Sequence, residues 1–253
     1  MGATLGFGVD IGGSGIKGGL VDLDAGKLHG ERLRIPTPDP SKPDAVADVV
    51  KQIVDEFGWS GTVGVTLPAV IKRGIAHTAA NIDKSWLGTD AAALFAERLG
   101  LGGEDVVVLN DADAAGIAEI NYGSPQDREG VVVLLTFGTG IGSALFRDGK
   151  LVPNTEFGHV EVDGHDAETR AAASVKEEND LSWHEWAKRV TRYVRSLEDL
   201  IWPDLIIVGG GVSKKADKWL PLLELRTKVV AAELRNDAGI VGAAVAARQG
   251  HHG

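Results

Sequence analysis

Two short turns built from glycine and a hydroxyl residue are the first chemistry visible in this chain: Gly12-Gly13-Ser14-Gly15 and Gly138-Thr139-Gly140. Glycine lets backbone N–H groups crowd toward one point, and Ser14 and Thr139 add hydroxyl donors, so each turn is a concave anion site of phosphate size. A lone turn of this kind is as well explained by a tight hairpin. Its repetition about half a chain apart favours shared work on phosphate groups. A third feature is Asn110-Asp111, delivered at the end of the apolar run Val106-Val107-Val108-Leu109. The carboxyl end of a strand is the favoured place for catalytic groups in an open α/β sheet.

Each turn sits between apolar strands. The first joins Phe7–Ile11 to Ile16–Val21, and the second joins Val133–Phe137 to Ile141–Phe146; an Asp/Gly turn follows each pair. Gly13-x-Gly15-x-x-Gly18 also matches the dinucleotide fingerprint, which requires its third glycine to open a helix. Here Gly18 leads into Gly19-Leu20-Val21-Asp22-Leu23, which reads as a strand, so that reading is rejected. Val46, Val49, Val50, Ile53 and Phe57 recur at helical spacing, and Leu94, Phe95 and Leu99 mark a second helix. Ser182-Trp183-His184-Glu185 fits a capping box opening a helix whose apolar face is Trp186, Val190, Tyr193, Leu197 and Leu200. Leu205–Val208 reads as a buried strand running into Gly209-Gly210-Gly211, and Ala238–Arg248 as a small-residue helix that packs back on the first half.

The 253 residues, 43% hydrophobic and 25% charged, suit one large or two small globular domains. Zero cysteines exclude disulfides, a thiolate metal site and a cysteine nucleophile. No run approaches membrane-spanning length and the apolar start at Leu5–Val9 is too short for a signal peptide, so the cytoplasm is expected. A net charge of −10 argues against general nucleic-acid binding. Yet His184–Lys228 holds nine basic residues against six acidic ones, with Lys188, Arg192 and Arg195 on one helical face. A solvated helix face and an anion track both fit that pattern.

The stretches Asp10–Gly18, Asn110–Ala115, Thr136–Gly142, Val152–His159 and Gly209–Lys214 together resemble the repressor/open-reading-frame/kinase (ROK) family of sugar kinases, and within it the actinobacterial polyphosphate glucokinases. The resemblance covers essentially the whole chain. It implies two α/β lobes of ribonuclease-H type, as in the actin/hexokinase superfamily, closing on a central cleft. The first lobe is expected to span 1–109 plus 238–253 and the second 110–237. The implied activity is phosphoryl transfer from inorganic polyphosphate, and from ATP, to the 6-hydroxyl of glucose, by a homodimer that binds neither nucleic acid nor membrane.

Carried over residue by residue, Asp111 is implied as the base for the 6-hydroxyl, with an N-cap on the Ala-rich helix as its alternative. Asn81, Asn110, Asp111, Glu156, His159 and Glu168 are implied to ring the sugar. Gly12, Gly13, Ser14, Gly138, Thr139 and Gly140 form the expected phosphate cradle; Lys17 either neutralises phosphate or faces solvent. Asp10 is expected to hold Mg²⁺ through water, since Mg²⁺ keeps much of its hydration shell. Gly209, Gly210 and Gly211 match a nucleotide turn, with simple strand termination as the alternative. Lys188, Arg192, Arg195, Lys214, Lys215 and Lys218 are the candidate polyphosphate track.

Two departures stand out. The cysteine-rich zinc site of the wider family has no counterpart, so zinc is not expected. The family's usual Pro-Gly in the sugar loop is Pro68-Ala69, which puts a methyl near the presumed hexose. Competing readings are an ATP-only hexokinase, a sugar-responsive repressor, whose helix-turn-helix has no room before the strand at Leu5, and a nucleotide-driven chaperone or filament subunit.

Overall fold

The computed structural model describes residues 2–123 and 129–250. In chain order its strands and helices are β1 (Leu5–Gly12), β2 (Gly15–Asp22), β3 (Lys27–Leu28), β4 (Leu33–Ile35), α1 (Pro43–Glu56), β5 (Val63–Leu67), β6 (Ile71–Lys72), β7 (Ile75–Ala76), α2 (Ala91–Leu99), β8 (Val106–Asn110) and α3 (Asp111–Tyr122). Then come β9 (Val131–Phe137), β10 (Ile141–Arg147), β11 (Lys150–Val152), β12 (Glu161–Val162), β13 (His165–Asp166), α4 (Glu168–Ala171), α5 (Ala173–Glu178), α6 (Trp183–Ile201), β14 (Leu205–Gly210), β15 (Lys228–Ala231) and α7 (Ala238–Gln249). The chain divides into two compact units, Met1–Tyr122 with Asp237–Gly253, and Gly123–Asn236. No helix among the described residues is long and apolar enough to cross a membrane.

The two units repeat one topology. In the first, β3, β2 and β1 form an antiparallel meander and β5 and β8 extend it in parallel, with β4 also paired to β2. In the second, β11, β10 and β9 form the meander, and β14 and β15 extend it in parallel. Parallel strands buried on both faces read as unbroken apolar runs, which is why Val106–Leu109 and Leu205–Val208 were legible as strands.

The expected boundary at 109/110 moves to 122/123. The reason is that α3 packs along α7 within the first unit: a Cβ on Gly242 would overlap the Ala114 carbonyl, so the two helix backbones touch. The same small-residue helix lies directly on the sheet, where Gly8 and Gly64 admit the carbonyls of Ile240 and Ala243. In α6, the Ser182/Glu185 capping box forms as expected, and Trp186, Val190, Tyr193, Val194 and Leu197 are buried. Leu200 does not belong to that face: it is 65% exposed, and Val194 takes its place in the core.

Candidate active site

In the first unit, the hairpin register sets Asp10 directly opposite Lys17, whose ammonium lies 3.4 Å from the carboxylate. Parallel pairing with β5 sets Thr66 beside it; the Thr66 hydroxyl donates to Asp10 (2.9 Å) and accepts from Ile11 N–H (3.2 Å). Fully buried Thr66 therefore fixes the carboxylate's rotamer. A Cβ on Gly239 would sit 2.8 Å from that carboxylate, so the start of α7, with its positive dipole end, faces Asp10.

The turn that follows is braced by its neighbours. The Thr37 hydroxyl donates to Gly12 O (2.5 Å) and the Arg34 guanidinium to Ser14 O (2.9 Å). These two carbonyls would otherwise repel an anion. Gly13 abuts Asn81, which holds a left-handed conformation at φ 57° in the exposed loop after Ala80, so that loop and the first glycine turn are neighbours.

At the end of β8 the side chain that caps the following helix is the one before Asp111. Asn110 caps α3, its Oδ1 accepting from Ala112 N–H (2.8 Å) and Asp113 N–H (3.2 Å), while its amide donates to Ala69 O (3.2 Å). Asn110 is thus built into the scaffold, and capping does not fall to Asp111. Asp111 is exposed in the first turn of the helix, its Oδ1 accepting from Ala112 N–H (2.9 Å). Ala69 is 2% exposed and belongs to the core, so its methyl points away from solvent and leaves the loop's open face unchanged.

In the second unit, the turn at Gly138-Thr139-Gly140 is braced by Ser174 at the start of α5. Its N–H donates to Gly138 O (3.1 Å) and its hydroxyl to Thr139 O (2.7 Å), while Gly138 N–H donates to Gly140 O (2.9 Å). Glu168 lies against the same turn: its Oε2 accepts from Ile141 N–H (3.0 Å), and a Cβ on Gly140 would overlap it. Buried Ser143 on β10 ties down the segment bearing Glu156, donating to Thr155 O (2.6 Å) and accepting from Phe157 N–H (2.9 Å). Gly158 has no room for a side chain beside the Ile141 carbonyl, which holds His159 close to the hairpin.

His159, Asp166 and Glu168 converge, with His159 Nδ1 2.8 Å from Asp166 and 3.9 Å from Glu168. Asp166, with Glu168, Asp166's own charge and Glu156 all favouring the imidazolium, holds His159 above the usual histidine range against some desolvation. Glu156 is exposed as a residue but its carboxyl is crowded. That crowding lifts it above the usual carboxylate range, Glu168 adds repulsion and His159 opposes both. The three ligand atoms of His159, Asp166 and Glu168 lie within 4.8 Å of one another, a spacing a cation would accept. They are already engaged with each other and with the backbone N–H groups of Glu168 and Ile141.

Gly209 and Gly210 pair with Thr136 and Phe137, so the glycine turn at the end of β14 stands beside the second phosphate turn. Gly210 has φ 81° and its missing side chain admits the Phe137 carbonyl, while Gly138 and Gly211 border open space. The expected basic track is not one row. Lys188 and Arg192 line one pocket, Arg195 turns away to Glu224, and Lys214, Lys215 and Lys218 lie in the one-turn helices after β14. Thr66, Thr37, Arg34, Ser143, Asp166 and Ser174 escaped the sequence reading; all but Asp166, whose partners His159 and Glu168 are seven and two residues away, act through contacts twelve or more residues distant, and a hydroxyl amid an apolar strand (Thr66, Ser143) was the one signal available.

Two glycine turns on two sheets of one topology, each with a carboxylate beside it, agree with the family comparison. The ROK family model matches residues 6–173. The chain belongs to the ROK family. A polyphosphate glucokinase of Mycobacterium tuberculosis is 59% identical over 241 residues, 95% of this chain and 90% of that one. The inorganic polyphosphate/ATP-glucomannokinase of Arthrobacter sp. strain KM superposes with a TM-score of 0.90 at 52% identity, covering 99% of this chain and all of that one. A ROK glucokinase of Streptomyces griseus, solved with glucose and AMPPNP, superposes at 0.80 with 27% identity, covering 98% and 100%. The fold is therefore the two-lobed, actin-like ROK sugar kinase fold.

Proposed function

We propose that this ROK protein transfers a phosphoryl group from inorganic polyphosphate, and from ATP, to the 6-hydroxyl of glucose. The observation that carries the reading is the duplicated, carbonyl-braced phosphate turn on sheets of identical topology, with an exposed carboxylate, Asp111, at the end of β8. Similarity to the M. tuberculosis and Arthrobacter enzymes supports the donor and the sugar.

In the reaction the sugar O6 forms a bond to the donor's terminal phosphorus while the bridging P–O bond breaks, and the shortened donor leaves with that electron pair. Asp111 accepts the 6-hydroxyl proton. A carboxylate suffices, because a loose transition state releases the proton late and positioning contributes more than basicity. By the family resemblance, Asn81, Glu156, His159 and Glu168 are the groups for the remaining hydroxyls. Asn110 contributes chiefly by fixing α3, and so Asp111. Gly12, Gly13, Ser14, Gly138, Thr139 and Gly140 receive phosphate oxygens, and Gly209–Gly211 the nucleoside when ATP is the donor.

Asp10 fits a metal held through water: among the described residues Thr66 takes one oxygen and the other meets the long contact to Lys17, leaving lone pairs for bound water. Mg²⁺ there would neutralise donor charge. Cytoplasmic location and a homodimeric working form complete the proposal, as family membership leads us to expect.

The test is glucose 6-phosphate formation with Mg²⁺, using long-chain polyphosphate and ATP in separate reactions, for the wild type and Asp111→Asn. Loss of a general base typically costs 10²- to 10⁴-fold, so kcat is expected to fall by about 10³-fold with both donors. Equal turnover by the variant removes Asp111 from the chemistry; no wild-type turnover with either donor removes the kinase reading.

A further inference from the structure

The second unit holds a pocket of about 390 Å³ whose wall takes in Lys188 and Arg192 of the expected basic track but none of the sugar or phosphate-turn residues. Arg170, Lys188, Arg189, Arg192 and His165 line it, and Asp163, tied to Arg192 at 2.6 Å, is the one carboxylate in its wall. Four permanent cations around one concavity repel each other, and in a protein of net charge −10 they stand out as a local field of opposite sign. Arg170 reaches His165 (2.7 Å) and Arg189 reaches the Arg170 carbonyl (3.5 Å), so these two heads are tethered at the rim of the pocket while Lys188 and Arg192 stay open to solvent. Tyr193 forms part of the same wall, and its buried hydroxyl has no hydrogen-bond partner among the described residues. The pocket is thus rich in donors and poor in acceptors.

Its connection to the site is α4. Glu168, at the start of that helix, accepts the Ile141 N–H beside the second phosphate turn, while Arg170 and Ala171 on the same helix face the pocket. One short helix therefore has the phosphate turn at one side and the cationic pocket at another. ATP offers three adjacent phosphates; a polyphosphate chain offers a long run of them, each close to one negative charge.

We propose that this pocket is a second anion site that grips distal, non-transferred phosphates of a polyphosphate donor. It rests on the polyphosphate reading above and sharpens it. Lys188 and Arg192 act with Arg170 and Arg189, whereas Arg195, paired with Glu224, and the three lysines after β14 lie outside the pocket. The site confers donor length preference: a long chain reaches both sites and tripolyphosphate only the turn.

The test compares wild type with the double variant Lys188→Gln/Arg189→Gln and with Arg189→Glu. KM and kcat are measured for long-chain polyphosphate, tripolyphosphate and ATP at two salt concentrations, with inorganic phosphate added in a separate arm. A charge-assisted contact contributes about one order of magnitude in affinity, so KM for long chains is expected to rise roughly tenfold in the double variant and further with the reversed charge. Its salt dependence should weaken, and kinetics with ATP and tripolyphosphate should stay as in the wild type. Unchanged affinity for long chains in a variant with normal ATP turnover overturns the proposal, as does an equal loss with ATP. A response of the wild-type ATP reaction to inorganic phosphate that disappears in the variant assigns the pocket to free phosphate instead. A changed sedimentation state assigns it to subunit contact. A wild type that uses ATP but not polyphosphate overturns the donor reading itself, an outcome separate from the variants' behaviour.

Discussion

The two units carry the same sheet and cover it in opposite ways. In the first, α7 is built mostly of alanine, glycine and valine, and Gly8 and Gly64 let its backbone lie on β1 and β5 at the carbonyls of Ile240 and Ala243. In the second, α6 stands off on large side chains: Trp186 meets Phe137 and Trp219 edge to face at 5.7 and 4.8 Å, with Tyr193 and Leu197 filling the rest. Backbone contact fixes spacing with almost no slack, whereas aromatic packing allows side chains to adjust. The first arrangement sets the backbone around Asp10 and the β8–α3 joint by main-chain packing, with the Thr66 hydroxyl and the Asn110 amide fixing the details. The second holds its site through polar side chains: the Trp186 indole donates to Ala171 O (3.0 Å) and Ala172 O (3.2 Å), pinning the α4–α5 joint between Glu168 and Ser174.

The sharpest way to break this comparison is to add and remove atoms in both units. Gly64→Ala inserts one methyl where the Ala243 carbonyl already lies, and α7 must shift as a body; about 3 kcal/mol of stability is expected to be lost. Trp186→Ala empties the second core at a cost of about 3–5 kcal/mol. Trp186→Phe keeps most of the bulk and loses the indole donor, so about 1–2 kcal/mol goes and donor KM rises as the α4–α5 joint loosens. Denaturant unfolding checks all three. If Gly64→Ala proves as mild as an ordinary surface substitution, the backbone contact is not what sets the first unit's geometry.

These glycines also show what was legible in the sequence. The turns, the strand end at Asn110-Asp111, the capping box at Ser182 and the returning helix at Ala238 all rest on local pattern, and each appears in the structure. Gly8, Gly18 and Gly64 look no different from turn glycines in sequence, yet they serve helix contact: a Cβ on Gly18 would press on Ile53 at 2.7 Å. Glu168, with no spacing rule to place it, proves to be the carboxylate lying against the second turn. Arg195 shared a helical face with Lys188 and Arg192, but Glu224, 29 residues on, decides where it points. Non-local partners were decisive wherever the reading fell short.

The braces offer a finer comparison, because in both turns a neighbouring side chain donates to a turn carbonyl. Ser174→Ala removes the hydroxyl from Thr139 O but keeps the N–H bond to Gly138 O, while Thr37→Val removes the brace on Gly12 O in the first unit. Each loses one hydrogen bond, about 1 kcal/mol, so donor KM is expected to rise several-fold with kcat nearly unchanged. If only Ser174→Ala shifts donor KM, the two turns are not equivalent and the first binds no donor phosphate directly.

The smallest expected effect is on pH, and it belongs to the second unit. Asp166 is the main cause of the raised His159 pKa, and a histidine whose folded pKa lies above its unfolded value stabilises the fold fully below about pH 6.5. That contribution disappears as pH rises through the folded pKa. Because the pair is more than half exposed on the histidine side, the change in stability is small and the titration itself is the better measurement. By NMR, Asp166→Asn should move His159 down toward the ordinary range. Glu168→Gln should lower His159 and Glu156 together, since the Glu168 charge favours the imidazolium and opposes the Glu156 carboxylate. A His159 titration indifferent to Asp166→Asn would show that their 2.8 Å contact does not persist in solution, leaving His159 free to turn toward other acceptors.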